Sequence, residues 1–98
     1  MIGGYHVLDG NTVPPVYRNV KLSYPSMAKR RNIEGSAEIE VYVSERGKID
    51  KVVLVHASRE EFGEAALKAF KKAKAEPATK DGKAIAVVQR IPVRFSLK

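Results

Sequence analysis

The pattern of apolar and polar positions is clearest at the end of the chain, in residues 83–98. Every second position there is apolar, with Gln89 as the one interruption: Ile85, Val87, Ile91, Val93, Phe95 and Leu97. A period of two predicts a β-strand with one face against a core. Pro92 lies in the middle of this stretch and has no N–H to donate to a neighbouring strand. The pattern therefore favours a strand at the edge of a sheet.

The orientation of Pro92 decides which side of that strand is open. Backbone groups alternate along a strand, so if Pro92 points outward, Arg90 and Arg94 also direct their backbone groups to the open side. An open edge readily pairs with other chains. Two interpretations follow: the proline and the arginines only guard the edge, or a partner adds a strand to it.

Upstream, the pattern predicts a short helix and a β-hairpin. Tyr24-Pro25 opens the helix and Gly35 closes it, with Met27, Ala28 and Ile33 facing inward. Residues 37–43 alternate with apolar positions at Ala37, Ile39, Val41 and Val43, as expected for a half-buried strand. A turn over residues 44–47, with Gly47 in a positive-φ conformation, leads to a return strand over residues 49–56.

A longer helix is predicted next. Ser58 and Glu61 have the spacing of a capping box. Apolar residues follow at intervals of three and four: Phe62, Ala65, Ala66, Ala69, Phe70 and Ala73. The helix is expected to end at Glu76-Pro77, and a turn containing Asp81-Gly82 then leads into the last strand.

These elements predict an α+β domain over residues 20–98. Its small three-stranded antiparallel sheet follows the order helix, strand, strand, helix, strand, with the helices packed on one face. Residues 1–19 are rich in glycine, proline and asparagine, and are expected to form a flexible or irregular segment.

Composition narrows the chemistry that this chain can perform. It has 98 residues, no cysteine and a formal net charge of +7, which fits one small domain stabilised by packing alone. His6 and His56 have no metal-like spacing, and no phosphate-binding glycine loop is present. We therefore expect no enzyme, metal site or cofactor.

Binding to nucleic acid is an alternative because of the basic charge. Two features weigh against it. Tyr42 is the only outward aromatic residue on its strand, and there is no GxxG loop. The helix lysines also follow three glutamates, as on an ordinary solvated helix face.

The same features occur together, in the same order, in a known family. They are Tyr24-Pro25, Ala28, the Ile-Glu-Gly of residues 33–35, the strand of residues 37–43, Gly47, the valine-rich return strand, Ser58, the alanine-rich helix before Glu76-Pro77, and the closing Pro-Val-x-Phe-x-Leu of residues 92–97. In this set the chain resembles the C-terminal domain of the TonB family. It departs from the family at Ala73 and Ala75, where many members have aromatic residues, and at Ser23, where a glutamine often precedes Tyr-Pro.

The resemblance implies a periplasmic, receptor-binding domain of an energy transducer. Full-length members are anchored in the inner membrane, by a segment outside this chain, and work with ExbB and ExbD. The domain docks on TonB-dependent outer-membrane receptors, whose short TonB box adds as a strand to the domain's last strand. Energy from the proton gradient then drives import of iron chelates, haem, cobalamin or similar nutrients.

Carried onto this sequence, the resemblance predicts a partner-binding site on the last strand and around Tyr-Pro. The candidate residues are Lys21, Tyr24, Pro25, Lys83, Val87, Val88, Gln89, Arg90, Ile91, Pro92, Val93, Arg94 and Phe95. Lys83, Arg90 and Arg94 are expected to attract acidic residues beside the box. Alternatives are a TolA-like or other envelope adaptor of the same fold, and a small basic nucleic-acid-binding module; a homodimer paired through the open edge is a further possibility.

Overall fold

The computed structural model describes residues 1–97. The elements are β1 (His6–Val7), β2 (Thr12–Val13), β3 (Val16–Arg18), α1 (Ser26–Arg30), β4 (Gly35–Val43), β5 (Ile49–Ala57), α2 (Glu60–Lys71), β6 (Lys74–Glu76), β7 (Ala78–Lys80), β8 (Lys83–Ile85) and β9 (Val87–Phe95).

The main sheet has the strand order β1-β9-β4-β5, with β4 antiparallel to both of its neighbours. Apolar side chains of β4 and β9 face α2 and form the core with it: Ala37, Ile39, Val41, Val43, Phe62, Ala66, Phe70, Val87, Val93 and Phe95. The predicted α+β class is confirmed. The predicted three-stranded antiparallel sheet corresponds to β9-β4-β5, and β1 adds a short parallel strand to it.

Residues 1–19, expected to be flexible or irregular, contain three short strands. β1 pairs with β9, β2 with β7 and β3 with β6. The segment therefore lies along the rest of the domain through backbone hydrogen bonds. A domain boundary after residue 19 stays a prediction.

The long helix differs from its prediction at both ends. At the start there is no capping box: Arg59 is the N-cap residue, without a side-chain cap. The Ser58 hydroxyl instead accepts from the Ser36 N–H at 3.0 Å and donates to the Ser36 carbonyl at 3.2 Å, which closes the end of the β4–β5 hairpin. At the other end α2 stops at Lys71, because β6 leaves the helical path to pair with β3.

The predicted last strand is two strands in two sheets. β8 forms a hairpin with β7, and β9 joins the main sheet after a break at Ala86. Asp81 and Gly82 connect β7 to β8 with φ angles of 53° and 79°. Positive φ at both positions is the geometry of a tight two-residue hairpin turn, for which Asp-Gly is a preferred sequence.

The short helix α1 was also predicted with errors. Ala28 is buried as expected, but Met27 is 51% exposed. Gly35 does not close the helix, since Asn32 has the positive φ of 55° after it and Gly35 begins β4. A Cβ on Gly35 would lie only 2.5 Å from Cε2 of Phe62, so this glycine serves close packing and not helix termination.

Candidate docking edge

One side of β9 is open along most of its length. Its inner side pairs with β4 in unbroken register, from Gly35 opposite Phe95 to Val43 opposite Val87. Its outer side pairs with β1 only at Val87 and Val88. Within residues 1–97, no strand covers the outer side of β9 beyond Val88. We call this uncovered stretch, residues 89–95, the open edge.

A hydrogen bond from β1 fixes the direction in which the backbone groups of β9 point. The His6 N–H donates to the Ala86 carbonyl at 2.8 Å, so the backbone of Ala86 faces outward. Alternation along the strand then directs the backbone groups of Arg90, Pro92 and Arg94 to the same side. Pro92 therefore has its missing donor on the open edge, and the ladder to β4 loses no hydrogen bond to it.

The side chains of β9 separate into a core face and a solvent face. On the core face Val87, Val93 and Phe95 are buried. On the other face Val88, which pairs with Val7 of β1, is also buried, whereas Arg90 and Arg94 are exposed. Gln89 interrupts the apolar series but lies on the same face, where its Oε1 accepts from the Tyr17 hydroxyl at 2.8 Å. Burial raises the pKa of Tyr17 to about 12.

The arginines on the solvent face differ in their partners. Arg90 Nη2 donates to Glu40 Oε2 at 2.9 Å, and Nη1 lies 3.9 Å from Glu38 Oε1. The bond to Glu40 raises the pKa of the Arg90 guanidinium, which stays charged. Arg94 makes no ion pair with any of residues 1–97. Of the two, Arg94 is the charge that an incoming acidic group meets without displacing another carboxylate.

Tyr24 holds the end of β9 in place. Its ring lies edge-on to Phe62 and Phe95, with centroids 5.8 and 5.7 Å away, and those two rings stack at 4.6 Å. Its hydroxyl donates to the Ile33 carbonyl, and burial raises its pKa. The segment that carries Tyr-Pro is therefore packed against the last residue of the open edge.

The other predicted residues lie apart from the open edge to different degrees. Pro25 is the N-cap of α1, next to Tyr24. Lys21 lines a hollow between its own segment and α2. Lys83 lies in β8, opposite Lys80, in a different sheet from β9. The predicted residues of β9 thus form one continuous strand with Tyr24 at its end, while Lys21 lies beside α2 and Lys83 belongs to a separate hairpin.

Sequence reasoning missed the second edge of the main sheet, which is β5. Its register with β4 shifts twice: Val55 is the extra residue between Leu54 and His56, and Asp50 is the extra residue between Ile49 and Lys51. Bulges bend a strand and discourage further pairing. The signal available in the sequence was the hairpin itself, since a sheet that places β9 beside β4 leaves β5 uncovered.

Residues 1–97 contain no group of three or more histidine, aspartate or glutamate side chains placed to hold a metal ion. None of the helices in this part of the chain is both long and apolar enough to cross a lipid bilayer.

Comparison with known proteins places these features in a family. The family model described as "Gram-negative bacterial TonB protein C-terminal" matches residues 20–97. A TonB protein of Vibrio cholerae is 33% identical over 84 residues, which is 85% of this chain and 34% of that protein. The chain therefore spans about a third of the length of this curated relative.

A solved structure has the same fold. The solution NMR structure of the TonB C-terminal domain of Pseudomonas aeruginosa superposes with a TM-score of 0.71 at 25% sequence identity. The match covers 95% of this chain and 94% of that one.

Proposed function

Since the chain belongs to the family of Gram-negative bacterial TonB C-terminal domains, we propose that it is the receptor-docking module of a TonB-like energy transducer. In this proposal the TonB box of an outer-membrane receptor pairs with the open edge of β9. The domain acts in the periplasm by binding and by transmitting force, without catalysis.

The observation that carries the proposal is the contrast between the two edges of the main sheet. β9 is regular over nine residues and is uncovered from Gln89 onward, whereas β5 is bulged at Asp50 and Val55. Strand addition needs a row of evenly spaced donors and acceptors. Of these two strands, only β9 offers such a row over a useful length, interrupted at one donor position by Pro92.

The open edge provides five free backbone groups. They are the N–H groups of Arg90 and Arg94 and the carbonyls of Arg90, Pro92 and Arg94. A hydrogen bond contributes on the order of 1 kcal/mol net, so the row supplies a few kcal/mol before the cost of ordering the peptide. Backbone pairing depends little on sequence, which suits one transducer that serves several receptors.

Side chains beside the row add selectivity. Arg94 has no partner within residues 1–97 and is available to an acidic residue next to the box. Arg90 contributes less, because Glu38 and Glu40 already neutralise it. Tyr24 acts at the far end, where its ring contacts Phe95 and limits how far the added strand extends, and Pro25 follows it as the N-cap of α1.

In the full-length protein, we propose that an inner-membrane anchor works with ExbB and ExbD and transmits the energy of the proton gradient to this domain. The docked receptor then admits iron chelates, haem, cobalamin or a similar nutrient. A load parallel to paired strands strains several hydrogen bonds together, so strand addition also suits the transmission of force.

The experiment is a titration with a TonB-box peptide from a receptor of the same organism, read by calorimetry and by NMR of the labelled domain. The decisive variant is Arg94→Pro, which removes an outward N–H as Pro92 already does and leaves the ladder to β4 intact. Arg94→Ala is its matched control, since it removes the same charge but keeps the donor. We expect Arg94→Pro to weaken binding clearly more than Arg94→Ala.

Equal affinities for the two variants would contradict strand addition at this edge. Sedimentation of the free domain completes the test, because a second copy of the chain pairing through β9 would compete with the peptide. If the domain self-associates in this way, its apparent affinity for the peptide would fall as the protein concentration rises.

A further inference from the structure

A groove runs along α2, between the helix and residues 19–26. It consists of two adjoining hollows of about 560 and 540 Å³, which share Ser23, Ala65 and Lys68 in their linings. Neither hollow is lined by residues of β9, so this groove is separate from the open edge.

One end of the groove is basic. Lys21, Lys68 and Lys72 line the first hollow together with Asn19, and no carboxylate lines it. None of the three lysines forms an ion pair with any of residues 1–97. Asn19 turns the chain there with a φ of 59°, which sets the Lys21 segment beside the helix. Three unneutralised cations thus surround a hollow whose helix side is formed partly by Ala65 and Ala69.

The other end is apolar and carries acidic residues. Tyr24, Pro25 and Leu67 line the second hollow together with four charged residues of α2: Glu61 and Glu64 toward the helix N-terminus, and Lys68 and Lys71 toward its C-terminus. Glu61 is paired with Arg59 Nε at 3.2 Å, whereas Glu64 makes no ion pair within the part of the chain that the structure describes. The groove therefore changes sign along its length.

This change in the sign of the charge along the groove favours one class of ligand over another. A uniformly charged polyanion lying along the groove would meet Glu61 and Glu64, which repel it. A nucleic acid also needs exposed aromatic faces for stacking, and the Tyr24 ring is engaged by Phe62 and Phe95. An extended peptide with separated charges meets neither obstacle.

We propose that this groove is a second docking site, for a short extended segment of a partner protein. Acidic residues of the segment lie at Lys21, Lys68 and Lys72, apolar residues lie over Leu67 and Pro25, and a basic residue lies at Glu64. From Glu61 to Lys71 the helix rises about 15 Å, at 1.5 Å per residue. That length accommodates roughly five extended residues.

The probes are two five-residue peptides with blocked ends. Each has two aspartates at one end, alanine and valine in the middle and a lysine at the other end, and the second peptide reverses the order. NMR titration at 50 mM NaCl is expected to give saturable shifts at the amides of Asn19, Lys21, Ala65 and Lys72 for at least one of them. Binding should weaken at 300 mM NaCl, because salt screens these exposed charges.

Paired variants distinguish specific binding in the groove from attraction by the net positive charge of the domain. Lys68→Ala/Lys72→Ala is expected to weaken binding roughly five- to tenfold, since each exposed ion pair contributes up to about fivefold and typically less. Lys80→Ala/Lys83→Ala removes the same charge from the β7–β8 hairpin and should change the affinity by less than about twofold. Glu64→Lys should weaken the same peptides while leaving Lys68 and Lys72 in place.

Three results would overturn the proposal. The first is no saturable shift in the groove with either peptide. The second is an equal loss of affinity in both lysine pairs, which indicates attraction by net charge alone. The third is a single-stranded oligonucleotide that binds the same amides more tightly than both peptides, which would identify a polyanion site. Unfolding curves of the variants, matched to the unsubstituted protein, exclude misfolding as the cause of any loss.

Discussion

Replacing Gly35 by alanine tests how closely β4 approaches α2. A Cβ at this position would lie 2.5 Å from Cε2 and 2.7 Å from Cδ2 of Phe62, and it would also collide with Oγ of Ser58. Phe62 is fully buried and stacked on Phe95, so it has no free space to move into. The added methyl group must therefore displace the first residue of β4 or the aromatic cluster.

The expected cost has two parts. Overpacking a filled core costs about 1–3 kcal/mol. Displacement of Ser58 also loses its two hydrogen bonds with Ser36, which contribute about 1 kcal/mol together because they are exposed. The sum is about 2–4 kcal/mol, equivalent to a fall in Tm of roughly 10–20 °C for a domain of this size.

Urea and thermal unfolding followed by circular dichroism measure this cost. Gly10→Ala is the matched control: nothing lies within 4 Å of its added Cβ, and its φ is outside the left-handed region. The double variant Gly35→Ala/Phe62→Leu should lose less than the sum of its single variants, because the smaller side chain makes room for the methyl group. The reasoning is refuted if Gly35→Ala is as stable as Gly10→Ala, within about 0.5 kcal/mol.

Three further predictions concern the core, the half-buried phenol of Tyr17 and the first strand. Phe62→Ala should cost about 3–5 kcal/mol in unfolding free energy, whereas Met27→Ala, at an exposed position, should cost less than about 0.5 kcal/mol; similar losses would contradict the assigned burial. The pKa of Tyr17 in the folded state, about 12, exceeds its ordinary value of 10, so the stability due to the neutral phenol is complete below pH 10 and is lost as the pH rises toward 12. Tyr17→Phe should therefore show a smaller loss of stability between pH 10 and 12 than the unsubstituted protein, and parallel curves would refute this. His6→Pro removes the donor that binds β1 to Ala86, so a peptide that reaches Val88 should bind more tightly to this variant, while one confined to residues 89–95 should not; an unchanged affinity for the longer peptide would show that β1 does not compete.

The sequence predicts the main sheet well because apolar and polar residues alternate strictly along its strand at residues 37–43. Apolar residues at every second position of residues 37–43 require one buried face, and all four are buried. Pro92 placed its strand at an edge for an equally local reason, the absence of an N–H. The turn at Gly47 is likewise local, and its φ of 81° agrees with the prediction.

The errors arise where a distant segment decides the outcome. The helix was predicted to continue to Glu76, but pairing with β3 draws residues 74–76 into a strand. Ser58 has the spacing of a helix cap, yet its hydroxyl bonds to the backbone of Ser36 and not to the start of the helix. The two- and three-residue strands of residues 1–19 carry no periodicity of their own.

The candidate site shows the same contrast between features set by local sequence and features set by distant segments. The open edge was predictable from Pro92 and the alternation around it. The bulges of β5, the partners of Arg90 and the lysine groove depend on side chains that are distant in sequence, and only the folded chain brings them together.

Amide hydrogen exchange of β9, with and without a saturating TonB-box peptide, tests the central claim most directly. In the free domain the inward N–H groups of Ile91 and Val93 should exchange slowly, because they bond to β4, while the outward N–H groups of Arg90 and Arg94 should exchange quickly. Strand addition predicts that the peptide selectively slows exchange at Arg90 and Arg94. Unchanged exchange at these two amides, or new protection confined to β5, would contradict docking on the open edge.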